Sequence, residues 1–205
     1  MSNEVQGTPE WLSDRLGWVS ASRMADVMAK TKSGEAATRK NYMMQLLCER
    51  LTDKVEETYT SPAMQRGTDL EPVARSLFEM QSGLTVKETK FIRHPNGLKI
   101  GASPDGLCSD GSVLEIKCPN TAQFVDFWLT GKIPRNYELQ MRLQMACADA
   151  SHAWFVMYDD RMPSHMQLKY KRLERDFDDE EIMIDEAIIF LNELDNLIEK
   201  LQDKQ

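Results

Sequence analysis

The chain has 205 residues, 41% of them hydrophobic and 28% charged, a balance that suits a globular protein and excludes a disordered or fibrous one. No apolar run approaches the roughly 20 residues of a membrane span, and the polar start MSNEVQGTPEW does not read as a secretory signal. A formal net charge of −8 excludes a grip on nucleic acid through bulk positive charge alone, although a carboxylate site for metal ions carries negative charge of its own.

In chain order, the first third reads as helical. Ser20 or Ser22 can cap SASRMADVMAK, the polar loop KTKSGEAAT follows, and NYMMQLLCERL resumes a helix. A longer helix is expected from about Ala63 to Gln81, with Leu70, Ala74, Leu77 and Phe78 on one face. The period then changes. TVKETKFIRH reads as a strand, Pro95-Asn96-Gly97 as a turn, and LKIGASPDGLC and SVLEIKC as two strands joined through Ser109-Asp110-Gly111. Two helices follow, TAQFVDFWLTG and about Arg135 to Ala148, then the strands HAWFVMYD and MQLKYKRLE. An amphipathic helix from about Asp178 to Gln202 closes the chain. It begins in RDFDDEEIMIDEA, where seven acids face one Arg. Ile188, Leu191, Leu194, Ile198 and Leu201 recur along it at near-helical spacing, which suits core packing or subunit contact before a partner dock. There is no internal repeat or Pro/Gly-rich linker, so residues 1–205 read as one α/β domain. The four cysteines, Cys48, Cys108, Cys118 and Cys147, are widely spaced without a CxxC pair, as free thiols in a reducing cytosol would be.

Chemistry concentrates in S103-P-D-G-L-C-S-D-G-S-V-L-E-I-K-C118. Side chains two apart on a strand share a face, so Glu115 and Lys117 project together while Leu114, Ile116 and Cys118 point inward. With the hairpin formed, Asp105 sits beside Glu115, and two carboxylates meet one ammonium at a sheet edge. Oxygen-rich sites of this kind suit hard divalent cations, with the Ile116 carbonyl as a further ligand. Lys117 would orient or help deprotonate a water and stabilise the transition state. Taken singly these features have plain readings. Ser-Pro-Asp-Gly is also a type I turn, and Glu and Lys two apart on a strand are often a solvated face. Together, Asp105, nine intervening residues, then Glu115-x-Lys117 form the motif of the PD-(D/E)xK nucleases.

Five segments, W11-LSDRLGWVSAS22, R66-GTDLEPVARSLFE79, A102-SPDGLCSDG111, L114-EIKCP119 and Y137-ELQ140, carry more. By them the chain resembles the phage lambda-type exonuclease and viral recombinase family over roughly residues 10 to 175. The resemblance implies a restriction-endonuclease-like core, a central mixed β-sheet flanked by α-helices. It implies that Glu71 adds a metal ligand and that Gln140 stands near the scissile phosphate. Arg15, Ser22 and Ser103 match a pocket for the 5′-terminal phosphate, where a guanidinium fork pairs bidentately with phosphate oxygens. Met64 falls near an apolar wedge of a relative, and Arg142 stands where the pattern often has a second Gln; both are carried as DNA-binding candidates. The plain alternatives are a buried Met64, a surface Arg15, a capping Ser22 and an ordinary helix-surface Glu71.

The family further implies a 5′→3′ exonuclease on double-stranded DNA ends. It would use Mg²⁺, two ions per site with Mn²⁺ as a substitute, and release mononucleotides as a homotrimeric ring. A single-strand annealing protein would be its recombination partner, in the bacterial cytosol, from a phage or prophage. Two rival readings remain. One is an endonuclease of the same motif or a RecB-like nuclease with an iron–sulfur cluster; the other is a catalytically silent DNA-binding module. No cysteine group follows Cys147 to complete such a cluster, and the intact Asp105, Glu115 and Lys117 set argues against silence.

Overall fold

The apolar runs VLEIK and HAWFVMY form two adjacent inner strands of the main sheet, because strands covered on both faces need near-continuous hydrophobic sequence. The structure is a computed structural model and describes residues 13–32, 34–55 and 61–203. Trp11 and Leu12, which open the first resembling segment, lie outside those residues.

The elements run β1 (Val19–Ser20), a 3₁₀ turn (Ala21–Arg23), α1 (Met24–Val27), β2 (Lys30–Thr31), β3 (Gly34–Glu35), α2 (Ala37–Thr52) and α3 (Pro62–Ser82). Then come β4 (Val86–Lys87), β5 (Ile92–Arg93), β6 (Ile100–Ala102), β7 (Gly106–Cys108), β8 (Val113–Lys117), α4 (Thr121–Thr130) and α5 (Arg135–Ala148). The last are β9 (His152–Tyr158), β10 (Leu168–Glu174) and α6 (Phe177–Gln202). The main sheet has five strands in the order β10-β9-β8-β7-β4, and a smaller one the order β1-β6-β5. All neighbours in the main sheet are antiparallel except β8 and β9. Parallel strands need a crossover, and α4 and α5 supply it.

Helix α3 covers one face of the main sheet, packing Ala74 and Phe78 on Leu114, Ile116 and Val156, with Leu70 and Leu77 partly buried beside them. On the other face α5 is buried at every residue from Leu139 to Cys147. Met141 and Met145 join the core over Phe155, whereas Leu139, Leu143 and Cys147 join the helical core shared with α1, α2 and α6. A helix apolar on two sides has one stripe left for polar groups, and there α5 carries Gln140 and Gln144, one turn apart. Core packing accounts for the middle of the α6 stripe, whereas Leu201 at its end is exposed. Leu191 and Leu194 are buried, Ile198 is packed against them, and Phe190 stacks on Tyr42 at 5.6 Å. Much of the tail's acid serves the start of α6. Asp176 accepts from the Asp178 and Asp179 amides, and the first turn carries Asp178, Asp179 and Glu180 where the helix dipole favours anions. Among the described residues no helix is long and apolar enough to cross a membrane.

Four sequence expectations are corrected. TVKETKFIRH is two short strands, β4 and β5, in different sheets. LKIGASPDGLC likewise divides into β6 and β7, because Pro104 brings no N–H to a ladder and Ser103-Pro104-Asp105 passes between the sheets. Neither Ser20 nor Ser22 caps a helix: the 3₁₀ turn and α1 have no side-chain cap, and the two hydroxyls meet at 3.3 Å. Finally, β8 is the central strand of its sheet and no edge.

The glycine after Asp105 serves close packing, since a Cβ on Gly106 would stand 2.2 Å from Cγ1 of Val86. Valine is stiff at χ1, so the clash cannot be relieved by a rotamer change. Gly106→Ala is therefore expected to cost about 1–3 kcal/mol of stability, measured by denaturant unfolding. A variant as stable as the wild type would refute that reason for the glycine.

Candidate active site

Glu115 is wholly buried at the centre of β8, and a buried carboxylate needs partners. It has three. Gln140 Nε2 donates to Oε1 at 2.7 Å, Gln144 Nε2 donates to Oε2 at 2.5 Å, and Lys117 Nζ lies 2.5 Å from Oε1. The alternation of β8 sends Leu114 and Ile116 the other way, under α3. Lys117 Nζ also lies 5.2 Å from the ring centroid of Tyr137, in the first turn of α5.

Asp105 is fixed by the backbone of β8. Its amide donates to the Leu114 carbonyl at 3.0 Å, and its Oδ2 accepts from the Ile116 amide at 2.6 Å. Burial and then the Glu115 charge push the Asp105 carboxyl well above the usual carboxylate range, against the pull of Lys117 and the Ile116 amide. Burial alone would lower the Lys117 ammonium, but Glu115 and Asp105 outweigh it and hold it above the usual lysine value. In this setting Lys117 is a cation, suited to holding a water and neutralising charge more than to taking a proton.

Glu71, on α3, accepts from Arg75 Nη2 at 2.6 Å, and the same nitrogen donates to the Asp105 carbonyl at 3.3 Å. Burial raises the Glu71 carboxyl; Arg75 opposes it and the Glu115 charge adds to it. Pro72 follows directly and has no N–H, so the Thr68 carbonyl one turn earlier lacks its helical donor beside the cleft that Thr68 lines.

Two cavities meet at Asp105 and Lys117. The smaller, about 130 Å³, brings Arg15, Ser22 and Ser103 together with Asp105, Glu115, Lys117 and Gln140. At about 30 Å³ per water this is room for a few waters or a phosphate group. Ser103 Oγ is buried there without a hydrogen-bond partner among the described residues, and burial lowers the Arg15 guanidinium despite the charges of Tyr42 and Glu49. The larger cavity, about 580 Å³, has Glu71, Ile116 and Lys117 on its inner wall and Met64 at its mouth. Met64 is 57% exposed, so the plain reading of a buried Met does not apply. Arg142 lines neither cavity. It is buried and paired with Glu138 at 2.9 Å and Asp179 at 3.1 Å.

The donor set fits a hard divalent cation. Asp105, Glu115 and Glu71 offer oxygen only, and the raised Asp105 carboxyl marks surplus negative charge that a cation would relieve. Among the described residues no three acids, histidines or cysteines stand together at ligand spacing. Lys117, Gln140 and Gln144 occupy the Glu115 oxygens, and Arg75 holds Glu71. Mg²⁺ asks for one or two carboxylates and completes its shell with water and phosphate oxygens, so Asp105 and Glu115 suffice.

Sequence reasoning missed Gln144, whose signal was its spacing of four from Gln140 on a helix. It also missed Arg75 and a cluster of Arg66, Asp159 and Arg161 at the larger cavity. The cluster joins residues 93 apart and leaves no local signature.

The model of the YqaJ-like viral recombinase domain matches residues 10–151. Among solved structures, the alkaline exonuclease LHK-Exo from Laribacter hongkongensis is 46% identical over 96% of this chain and 97% of its own, with a TM-score of 0.90. Its complex with dAMP superposes with a TM-score of 0.91 at the same identity. A phage-related exonuclease from Haemophilus somnus 129PT shares the fold, with 17% identity, 90% of this chain and 96% of its own covered, and a TM-score of 0.69. No curated protein matches. The fold is thus the PD-(D/E)xK-like α/β fold expected from the sequence.

Proposed function

The chain belongs to the YqaJ-like viral recombinase family and is a nuclease, and we propose that it is a 5′→3′ exonuclease of linear double-stranded DNA. It would release mononucleotides and leave a 3′ single-stranded tail for recombination by strand annealing. The observation that carries this reading is the small cavity in which Arg15, Ser22 and Ser103 face Asp105, Glu115, Lys117 and Gln140. A 5′-terminal phosphate seated there sets the next phosphodiester against the carboxylates, which gives both the polarity and a product one nucleotide long. The dAMP complex of the similar alkaline exonuclease supports a mononucleotide product.

Asp105, Glu115, the Ile116 carbonyl and Glu71 are the groups that would hold Mg²⁺, two ions with Mn²⁺ as a substitute. Bound there, the metal would supply Lewis-acid polarisation of the phosphate and a more acidic water. The chain's own residues do the rest. Gln140 and Gln144 fix both oxygens of Glu115, and Lys117 holds the attacking water and offsets charge on the phosphorane oxygens. Ser103 Oγ and Arg15 anchor the strand end.

The reading extends to a single domain over residues 1–205, a homotrimeric ring around the duplex and a single-strand annealing protein as partner. A ring lets topology replace electrostatic grip in a chain of net charge −8.

The test digests linear duplexes with 5′-phosphate or 5′-hydroxyl ends, with and without Mg²⁺. Mononucleotides released from phosphorylated 5′ ends only with the metal are expected; equal cutting of closed circles would favour an endonuclease instead. Arg15→Ala should lower kcat/KM on 5′-phosphate ends about tenfold and leave 5′-hydroxyl ends little changed. An undiminished phosphate preference would refute the pocket.

A further inference from the structure

The larger cavity contains a cation pair that the proposed reaction does not use. Asp159 follows the last residue of β9 and is wholly buried. Its carboxylate binds Arg161 twice, Oδ1 accepting from Nε at 2.7 Å and Oδ2 from Nη2 at 2.9 Å. Oδ1 also accepts from Arg66 Nη2, across from α3, at 3.2 Å. The Pro119 carbonyl takes a further bond from Arg161 Nη2 at 3.1 Å, and exposed Asp160 holds Arg66 from outside. Both guanidiniums line the cleft with part of each side chain open, 29% of Arg66 and 47% of Arg161.

Bracing two arginines with a buried aspartate removes much of the rotamer entropy that binding would otherwise cost. The cleft lining carries Arg66, Lys117 and Arg161 beside Glu71 and Asp105, while Asp159 braces the two arginines from behind and Asp160 holds Arg66 from outside, so the donors that face the cleft are cationic within a protein of net charge −8. Asn120, the cap of α4, stands in the same wall, so that helix's N-terminal amides add to the positive field. Position decides which phosphates these are. The two cavities share Asp105 and Lys117 and so adjoin at the residues proposed for the chemistry, each with a lining of its own beyond them. With the 5′-terminal phosphate in the smaller one, the strand beyond the scissile bond has the larger one to run through.

We propose that Arg66 and Arg161, braced by Asp159, bind backbone phosphates of the cleaved strand on the 3′ side of the scissile bond. The assignment rests on the exonuclease reading for its polarity; the phosphate contacts themselves do not depend on it. Such contacts release counterions, so each should appear in the salt dependence of binding.

The experiment measures binding of a fluorescent 5′-phosphorylated duplex between 50 and 200 mM salt, together with steady-state cleavage. Arg66→Ala and Arg161→Ala should each raise Kd and KM about tenfold, with a much smaller fall in kcat. Each should also reduce the slope of log K against log salt by about one. Arg161→Lys keeps the charge and should restore the slope while recovering only part of the affinity. Arg172→Ala, on β10 and lining neither cavity, is the control that should leave the slope alone. The ratio of rates on 5′-phosphate and 5′-hydroxyl ends should stay at the wild-type value in both alanine variants, unlike in Arg15→Ala. Unchanged slopes in alanine variants that melt as the wild type does would overturn the proposal, and so would a loss confined to kcat. A wild-type protein that cuts circles as readily as ends would defeat the exonuclease reading, while the slopes would still decide whether these arginines hold phosphate.

Discussion

Lys117→Ala should slow DNA cleavage about a thousandfold or more while leaving Mg²⁺-dependent binding of duplex DNA largely in place. The size follows from where the ammonium stands. It lies 2.5 Å from Glu115 Oε1 and is held charged by Glu115 and Asp105, so it is the cation at hand when charge builds on the phosphorus oxygens. Its partners Glu115 and Asp105 are buried, so the charge acts where it counts for more than it would in open water. Binding should survive because the groups that would hold the metal, Asp105, Glu115 and Glu71, are untouched, and their mutual repulsion would then favour a bound cation more strongly. Single-turnover cleavage and anisotropy on one duplex separate the two effects. A rate within tenfold of the wild type would remove Lys117 from the chemistry, and a parallel loss of binding would make it a substrate ligand only.

Local sequence carried the chemical centre because strand alternation is a local property. VLEIK places Glu115 and Lys117 on one face whatever surrounds it, and the Ser109-Asp110-Gly111 turn returns the chain so that Asp105 meets them. Long amphipathic helices were equally legible: α3 and α6 begin and end within one residue of their expected bounds. What escaped was set by distant pairing. Two-residue strands such as β4 and β5 have no period to read, and their sheets are chosen by β7 and β6. Pro104 did signal a break in LKIGASPDGLC, but nothing local says that the chain changes sheets there. The positions of Met64 and Arg142 likewise depend on surfaces far away in sequence. Arg142, at the place of a second Gln in the family pattern, is paired with Asp179 of α6.

Gln144 shows the same limit at the site itself, and it carries the second large effect. From sequence alone a glutamine in the middle of an amphipathic helix reads as surface, yet this one is wholly buried with its amide on Glu115 Oε2. Its own Oε1 is buried without a hydrogen-bond partner among the described residues, a cost that makes sense only if the amide nitrogen is needed where it is. With Gln140 on the other oxygen, the pair fixes the plane of the carboxylate from one helix face. Partners of this kind orient ligands, and losing one commonly costs 10–100-fold in metal affinity or activity. Gln144→Leu should therefore raise the Mg²⁺ concentration needed for half-maximal cleavage by about 10–100-fold, with part of the rate recovered at high Mg²⁺. Gln144→Glu sets a second carboxylate against Glu115, and its activity should need a higher pH than the wild type's, rising as the pair gives up a shared proton that the amide does not bring. A role in packing alone predicts otherwise: both variants would lose thermal stability, and the Mg²⁺ requirement of whatever activity remained would match the wild type. Titrating Mg²⁺ against cleavage, with melting curves on the same samples, separates a residue that positions Glu115 from one that merely fills the core.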